Sequence, residues 1–479
     1  MTTSAPAATS SAPPPPPELD ARRRWTVLAV CCLSLFLVGL DTTIVNIGLP
    51  AIGTGLDVSV HALAWTVDAY TVVLTALLIT SGALADRFGR RRVFRLGLVV
   101  FGAASLLCAL APSLGWLVAA RTVQGIGASM LSPVALAIVV NAMPDPRERA
   151  RAIGIWAAVF GLSMAAGPVT GGALVDGLGW RSLFWVNVPV VLVALVLTVR
   201  YVPESRAPQA RRLDLPGQVL LAGLVGVSIG VLIEGPRIGW ASPAALAAYA
   251  VAAAATVAFV LVERRRAEPL MDLRLFRRPA FTGAVLGAVA VFVALGLTLL
   301  LSTLYLQQAR GWTALAAGTA TLPMALGATV CAPWSGRLTA RVGPRRPLLL
   351  AGGFLTAGGG CLFGLFSLDG GGSPPLPVLL LGYLLVGIGF GFANAPITNT
   401  AVSGLPPARA GVAGAITSTA RQFGSALGIA LAGVLVTGAA PADLASAARP
   451  GWLLVAACGL LLLPVARAGR AETAGTRRP

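Results

Sequence analysis

SGALADRFGRRR, residues 81–92, closes one long apolar run and opens the next, and SGRLTARVGPRR, residues 335–346, returns the same pattern in degenerate form in the second half of the chain. A dense arginine loop that follows a small-residue helix end, once in each half, predicts a membrane protein built from two related bundles. The chain carries its own repeat.

Composition points the same way. The 479 residues are 56% hydrophobic and 11% charged, and the mean hydropathy is +0.82; a soluble domain holds about 45–50% apolar and about 25% charged residues. The net charge of +18 comes from 36 basic residues, and the sequence contains no lysine. A nucleic-acid-binding protein would spread such arginines over a polar domain, whereas here they fill short gaps between apolar runs. Cys31, Cys32, Cys108, Cys331, Cys361 and Cys458 all lie in apolar runs without metal-ligand spacing and read as small buried residues. His61 has no companion for metal or triad chemistry. No metal site and no cofactor is expected.

The first 20 residues hold Pro13 to Pro17 and no apolar segment, so residues 1–21 are read as a disordered tail rather than a cleaved leader. From Trp25 onward the apolar runs number about fourteen, each near the roughly 20 residues that a helix needs to cross hydrocarbon. They are predicted at 25–48, 62–84, 93–110, 114–140, 152–175, 183–199, 215–233, 242–262, 281–306, 314–334, 348–366, 376–402, 412–437 and 452–466. Arginine placement supports the count. Short cytoplasmic loops collect positive charge, and almost every loop arginine, from Arg22–Arg24 through Arg87–Arg95, Arg211 and Arg212 to Arg409 and Arg470, falls on one side. Arg181, Arg237, Arg310 and Arg449 fall on the other. Both termini are therefore expected in the cytoplasm, the second being a tail at 469–479. Arg149, Ala150 and Gly154 before the fifth span match Arg409, Ala410 and Gly414 before the thirteenth, so two helices are inserted between the halves. The domains expected are a bundle at 22–201, a linker with two inserted helices at 202–270, and a bundle at 271–468. The inserted pair, rich in Ala and Leu, reads as a lipid-facing spacer.

Positive-inside anchoring explains the arginines of residues 81–92 but not Gly82, Asp86 and Gly89 at their positions. Glycine permits close helix approach, and an aspartate at a helix end can pair with an arginine. Gly82, Asp86, Arg87, Gly89, Arg90 and Arg91 resemble motif A of the major facilitator superfamily, and the resemblance implies a cytoplasmic latch between two bundles. Ala340 replaces the aspartate in the second copy, which should latch more weakly.

Arg121 lies within the fourth span, in RTVQGIGASM, where a charge costs about 2.5–3.5 kcal/mol on insertion scales unless paired or hydrated. Gln124 shares its helical face, with Gly125, Ala128 and Ser132, as one side of a cavity. The segment resembles motif B, whose arginine is implied to couple proton movement to transport. The fifth span reads GLSMAAGPVTGG, with Gly154, Ala158, Gly161, Ala165, Pro168 and Gly172 on one face, suited to tight packing and a bend. Gly161, Gly167, Pro168, Gly171 and Gly172 resemble motif C, the antiporter motif of drug exporters in the same superfamily.

Asp41 in LDTTIVNIGLP and Asp68 in WTVDAYT are acids flanked by apolar sequence in the first two spans. Carboxyls at such depth mark proton or substrate pathways, and Asp68 shares a face with Thr71, Thr75 and Gly82, a polar track toward the arginine loop. The first stretch resembles the signature of the fourteen-span drug:proton antiporters, and the second resembles quaternary-cation exporters of that group. Some of those exporters carry an acid in the tenth span, and residues 314–334 contain none, which disfavours divalent cationic drugs. Asn394, Asn399, Arg421 and Gln422 are further polar candidates for the cavity.

The reading is an all-α polytopic membrane protein of the major facilitator fold, two six-helix bundles plus two inserted helices. It is expected to export a small amphipathic drug or antibiotic in exchange for protons, as a monomer in the cell membrane, with proton coupling at Asp41, Asp68 and Arg121. Two alternatives compete. An uptake symporter would share the fold, but the Gly-Pro motif favours export; a receptor or scaffold would not need intramembrane Asp and Arg. No nucleophile, metal or phosphate-loop constellation supports an enzyme.

Overall fold

The computed structural model describes residues 20–206, 214–266, 268–368, 375–403, 405 and 407–475. Residues 1–19, nearly all of the first tail, the last four residues of the second, 476–479, and Arg211 and Arg212 lie outside the described residues; the part of the second tail from 469 to 475 continues the last helix, which runs to Gly475. Fourteen helical segments are long and apolar enough to cross a membrane. They are labelled α1 (Ala21–Leu56), α2 (Ala62–Phe88), α3 (Arg90–Ala109), α4 (Leu114–Ala142), α5 (Arg147–Leu178), α6 (Ser182–Tyr201), α7 (Leu215–Ile238), α8 (Pro243–Arg265), α9 (Pro279–Ala309), α10 (Ala314–Val342), α11 (Arg345–Ser367), α12 (Leu376–Val402), α13 (Val412–Val436) and α14 (Pro441–Arg467). Each matches a span expected from the sequence. The fourteenth differs most, because the chain is already helical from Leu444, eight residues before the apolar run becomes continuous.

Local chemistry accounts for the ends and breaks. Asp20, Asp145, Asp214 and Ser242 each accept a backbone N–H from the first turn of the helix they precede, as N-cap residues do. The fourth span is two helices, Leu114–Ser129 and Ser132–Ala142, parted at Met130 and Leu131, because Pro133 has no N–H to give the carbonyl of Ser129, four residues back, and its ring crowds that carbonyl. The tenth is likewise parted at Thr321, before Pro323.

Helices α1 to α6 pack among themselves, and so do α9 to α14. The two groups meet chiefly where α2 packs on α13 and α5 packs on α10. In the internal repeat α2 corresponds to α10 and α5 to α13, so the two contacts are one contact with the halves exchanged. The inserted helices are unlike each other. α7 packs against both α2 and α13, with Leu221, Val225, Ile229 and Ile233 buried, and the Trp65 indole N–H donates to Glu234 Oε1 at 2.9 Å. α8 packs on α7 and is largely exposed, which suits a lipid-facing helix. The spacer reading therefore fits α8, whereas α7 bridges the seam between the bundles.

Candidate functional site

Asp41 on α1 and Arg121 on α4 meet in the interior of the first bundle. Arg121 Nη1 donates to Asp41 Oδ2 at 2.7 Å, and both side chains are wholly buried. The same nitrogen donates to Gln124 Oε1 at 2.6 Å, and Nε donates to the Thr66 carbonyl of α2 at 2.9 Å. The Tyr70 ring lies 4.1 Å from the guanidinium carbon, within cation–π range. The other carboxylate oxygen, Asp41 Oδ1, accepts from Gln124 Nε2 and from Asn187 Nδ2, each at 3.0 Å. Ser105 Oγ of α3 accepts from Gln124 Nε2 at 2.8 Å. Five helices thus converge on one ion pair, and desolvation is offset by charge-assisted bonds on both partners.

Gln124, read from sequence as lining the cavity, lies inside this network and is wholly buried. Ser105 and Asn187 were missed, although an isolated amide in the apolar run SLFWVNVP is the same kind of signal that singled out Asn394. Asp68 does not join the network. It is wholly buried on α2, and neither carboxylate oxygen has a hydrogen-bond partner. The hydroxyls of Thr71 and Thr75 donate to carbonyls of their own helix, so the track below Asp68 is polar in composition but bonded to its own backbone.

The arginine loop is tied within its own bundle. Asp86 Oδ1 accepts from Arg90 Nε at 3.1 Å and Nη2 at 2.9 Å. Gly89 has φ +110°, and a Cβ there would stand 2.7 Å from Glu204 Oε1; glycine alone suits both constraints. Glu204 also accepts from the Arg91 backbone N–H at 3.1 Å, Arg91 Nη2 donates to the Val199 carbonyl, and Arg87 lies over Phe88. A Cβ on Gly82 would meet nothing within 4 Å, so the helix approach expected of this glycine is not made in this conformation.

Along α5, the glycines divide by depth. A Cβ at Gly167 would stand 2.0 Å from Thr43 Oγ1, and one at Gly171 2.6 Å from Ile47 Cγ2, so both seat α5 against α1. Gly172 and Pro168 meet the other bundle. A Cβ at Gly172 would lie 2.5 Å from the Ala314 carbonyl, and one at Gly318 2.1 Å from the Pro168 carbonyl. Gly161 and Gly154, two and four turns nearer the arginine-rich face, would meet nothing within 4 Å. Gly161 was expected to pack tightly and does not, because α5 and α10 part below Pro168. Asp176, which sequence reasoning passed over, completes the contact at the opposite face: its carboxylate accepts from the backbone N–H groups of Ala314 at 3.1 Å and Leu315 at 2.8 Å. Gln307 Nε2 donates to the Ile47 carbonyl at 2.8 Å nearby. The bundles are joined at the face away from the termini and diverge toward the arginine-rich one.

In the second bundle, Arg421 Nη2 donates to Thr398 Oγ1 on α12, and its Nε is buried without a partner. Asn394 donates to the carbonyl of Phe390 at 3.4 Å, Asn399 is exposed and accepts from Ser403, and Gln422 is half-buried beside Arg421.

Two six-helix bundles in a two-fold repeat, with a buried ion pair in one and a seam closed at a single face, define a transporter that works by alternating which face is open. A model of the Major Facilitator Superfamily matches residues 31–429, and the chain belongs to that superfamily. It is 39% identical over 412 residues to the multidrug resistance protein Stp of Mycobacterium tuberculosis, covering 86% of this chain and 76% of that protein. It is 38% identical over 402 residues to the methylenomycin A resistance protein of Streptomyces coelicolor, 83% of this chain and 82% of that protein. With the tetracenomycin C resistance and export protein of Streptomyces glaucescens it shares 37% over 416 residues, 86% and 76% of the two chains. A crystal structure of the peptide transporter POT in complex with sulfate has the same fold, with a TM-score of 0.67 at 18% identity over 95% of this chain and 97% of that one.

Proposed function

We propose that this protein is a drug efflux transporter of the cell membrane, expelling small amphipathic drugs or antibiotics in exchange for protons and working as a monomer with both termini in the cytoplasm. Its similarity to several resistance and export proteins over most of the chain supports export. The arginine bias of the loops supports the orientation, which makes the open, arginine-rich face the cytoplasmic one and this conformation the inward-facing one.

One observation carries the coupling: the ion pair Asp41–Arg121, closed by Gln124 and Asn187. Asp41 accepts from three donors here. A proton on Asp41 cancels its attraction for Arg121, and the guanidinium keeps the Thr66 carbonyl, Gln124 and the Tyr70 and Phe184 rings. The consequence reaches the gate through α1, whose Thr43, Ile44 and Ile47 are the residues on which Gly167 and Gly171 of α5 are seated. Asp68, whose oxygens meet no donor in this conformation, is assigned as a second proton-carrying carboxyl. Gly82, Asp86, Arg87, Gly89, Arg90 and Arg91 form the cytoplasmic latch that engages when the arginine-rich face closes. Arg421, Gln422, Asn394 and Asn399 line the substrate path in the second bundle.

Growth inhibition of a drug-sensitive host by a chemically diverse panel, with and without the chain, tests the reading. Expression should raise tolerance to some compounds and Asp41→Asn should not. Lowered tolerance, with greater accumulation of the same compounds, would point to uptake instead.

A further inference from the structure

The two interior arginines have opposite surroundings. Arg121 is matched by Asp41 at 2.7 Å. Arg421 has no ion pair among the described residues, and its guanidinium donates to a neutral hydroxyl, Thr398 Oγ1. From Pro279 to Arg470 the sequence holds only two acids, Asp369 and Asp443. Asp443 lies in the first turn of α14, at the face opposite the termini, and Asp369, between α11 and α12 in sequence, lies outside the described residues. Arg421 lies nine residues into α13, about 14 Å along the helix at about 1.5 Å per residue.

Arg421 is half-buried, and its Nε is buried without a partner, so part of its charge is desolvated with nothing to offset the cost. The surroundings are nonetheless open on one side. Two turns toward the arginine-rich face, a Cβ on Gly414 would meet nothing within 4 Å, and Thr398, which Arg421 bonds, and its neighbour Asn399 are exposed. Exposed hydroxyl and amide groups around an unmatched guanidinium make a surface that suits an oxyanion, which the planar fork can take in two parallel bonds.

We infer that Arg421 is the docking point for an anionic group of the exported compound, a carboxylate or similar oxyanion on an aromatic or aliphatic body, with Thr398 and Asn399 as neutral flanking contacts. The inference rests on the exporter reading and names its substrate class. The chain supplies one half of the ion pair and the substrate the other, so an acidic compound entering from the cytoplasm relieves the unpaired charge, whereas a cationic one adds to it.

The test is equilibrium dialysis of three probes on one scaffold against the full-length protein in lipid nanodiscs at neutral pH: 1-naphthoate, its methyl ester, and a naphthyl trimethylammonium. Naphthoate should bind most tightly to the wild type. Arg421→Gln should weaken naphthoate by about tenfold or more, the worth of a charge-assisted bidentate contact, and leave the ester unchanged. Arg421→Lys keeps the charge but loses the fork, so it should lose part of the preference and serves if the glutamine variant does not fold. Preference of the wild type for the ammonium probe, or an equal loss for all three probes in both variants, would overturn the inference. Proton-driven export by the same wild-type protein, measured in parallel, separates the two claims: export without anion preference sinks this inference alone, and anion binding without proton-driven export of any compound sinks the exporter reading alone.

Discussion

Asp41 and Arg121, 80 residues apart in sequence and on different helices, meet at 2.7 Å with neither side chain touching solvent. The pair is worth little as a stabiliser when intact, since desolvation consumes most of the Coulomb gain, but removal of one partner costs about 3–5 kcal/mol. Asp41→Asn preserves volume and one acceptor while deleting the titratable proton. It should reach the membrane and lose drug-dependent proton exchange. Asp41→Ala should in addition lower the thermal unfolding midpoint in detergent. Wild-type efflux by Asp41→Asn would remove this acid from the mechanism.

Arg121→Lys should also fail. One ammonium cannot serve Asp41, Gln124 and the Thr66 carbonyl together while covering the Tyr70 face, because those contacts use the planar geometry of guanidinium. Drug-induced proton release from detergent-solubilised protein should vanish in the lysine variant; release at the wild-type level would show that only the charge matters.

The gate gives a paired expectation on glycine. Gly318→Ala places a methyl about where the Pro168 carbonyl stands, 2.1 Å away, whereas Gly161→Ala meets open space. The first should prevent closure of the face away from the termini and cut efflux severely; the second should leave closure of that face unaffected and cut efflux less. Equal activity in the two variants would mean that α5 and α10 need not close this tightly.

Asp176 holds Ala314 and Leu315 of the other bundle by their backbone N–H groups. Asp176→Ala should favour the conformation open on that face. Hydrogen exchange measured on the full chain in nanodiscs should speed up in residues 312–321 and slow in residues 80–92 as the opposite face closes. Faster exchange confined to 312–321 would mean local fraying and no gating role.

Much of this architecture was written in patterns that sequence displays well. Spans appear as apolar runs, sidedness as arginine clusters, and the repeat as residues 81–92 against 335–346. Asp41, Arg121 and Gln124 stood out because charge and amide are expensive in hydrocarbon. Depth along a helix did not. Gly161 and Gly172 share one face and one motif, yet only Gly172 meets the second bundle, since where two helices diverge depends on the conformational state. Asp176 was passed over because an acid at a helix end looks solvated until the backbone it caps is known. Asn187 and Ser105 are single polar residues whose partners lie on other helices, so their role emerged only from packing. α7 looked like lipid-facing filler by composition, and its place across the seam follows from which faces of α2 and α13 remain uncovered.

Proton-driven loading of everted membrane vesicles tests the exchange most directly. A tenfold proton gradient is worth about 1.4 kcal/mol per proton exchanged, so a compound from the growth panel should accumulate in the lumen when the interior is made acid. Loading should stop on addition of a protonophore and be absent with Asp41→Asn. Loading that persists with the protonophore and requires added ATP would contradict proton exchange through the Asp41–Arg121 pair.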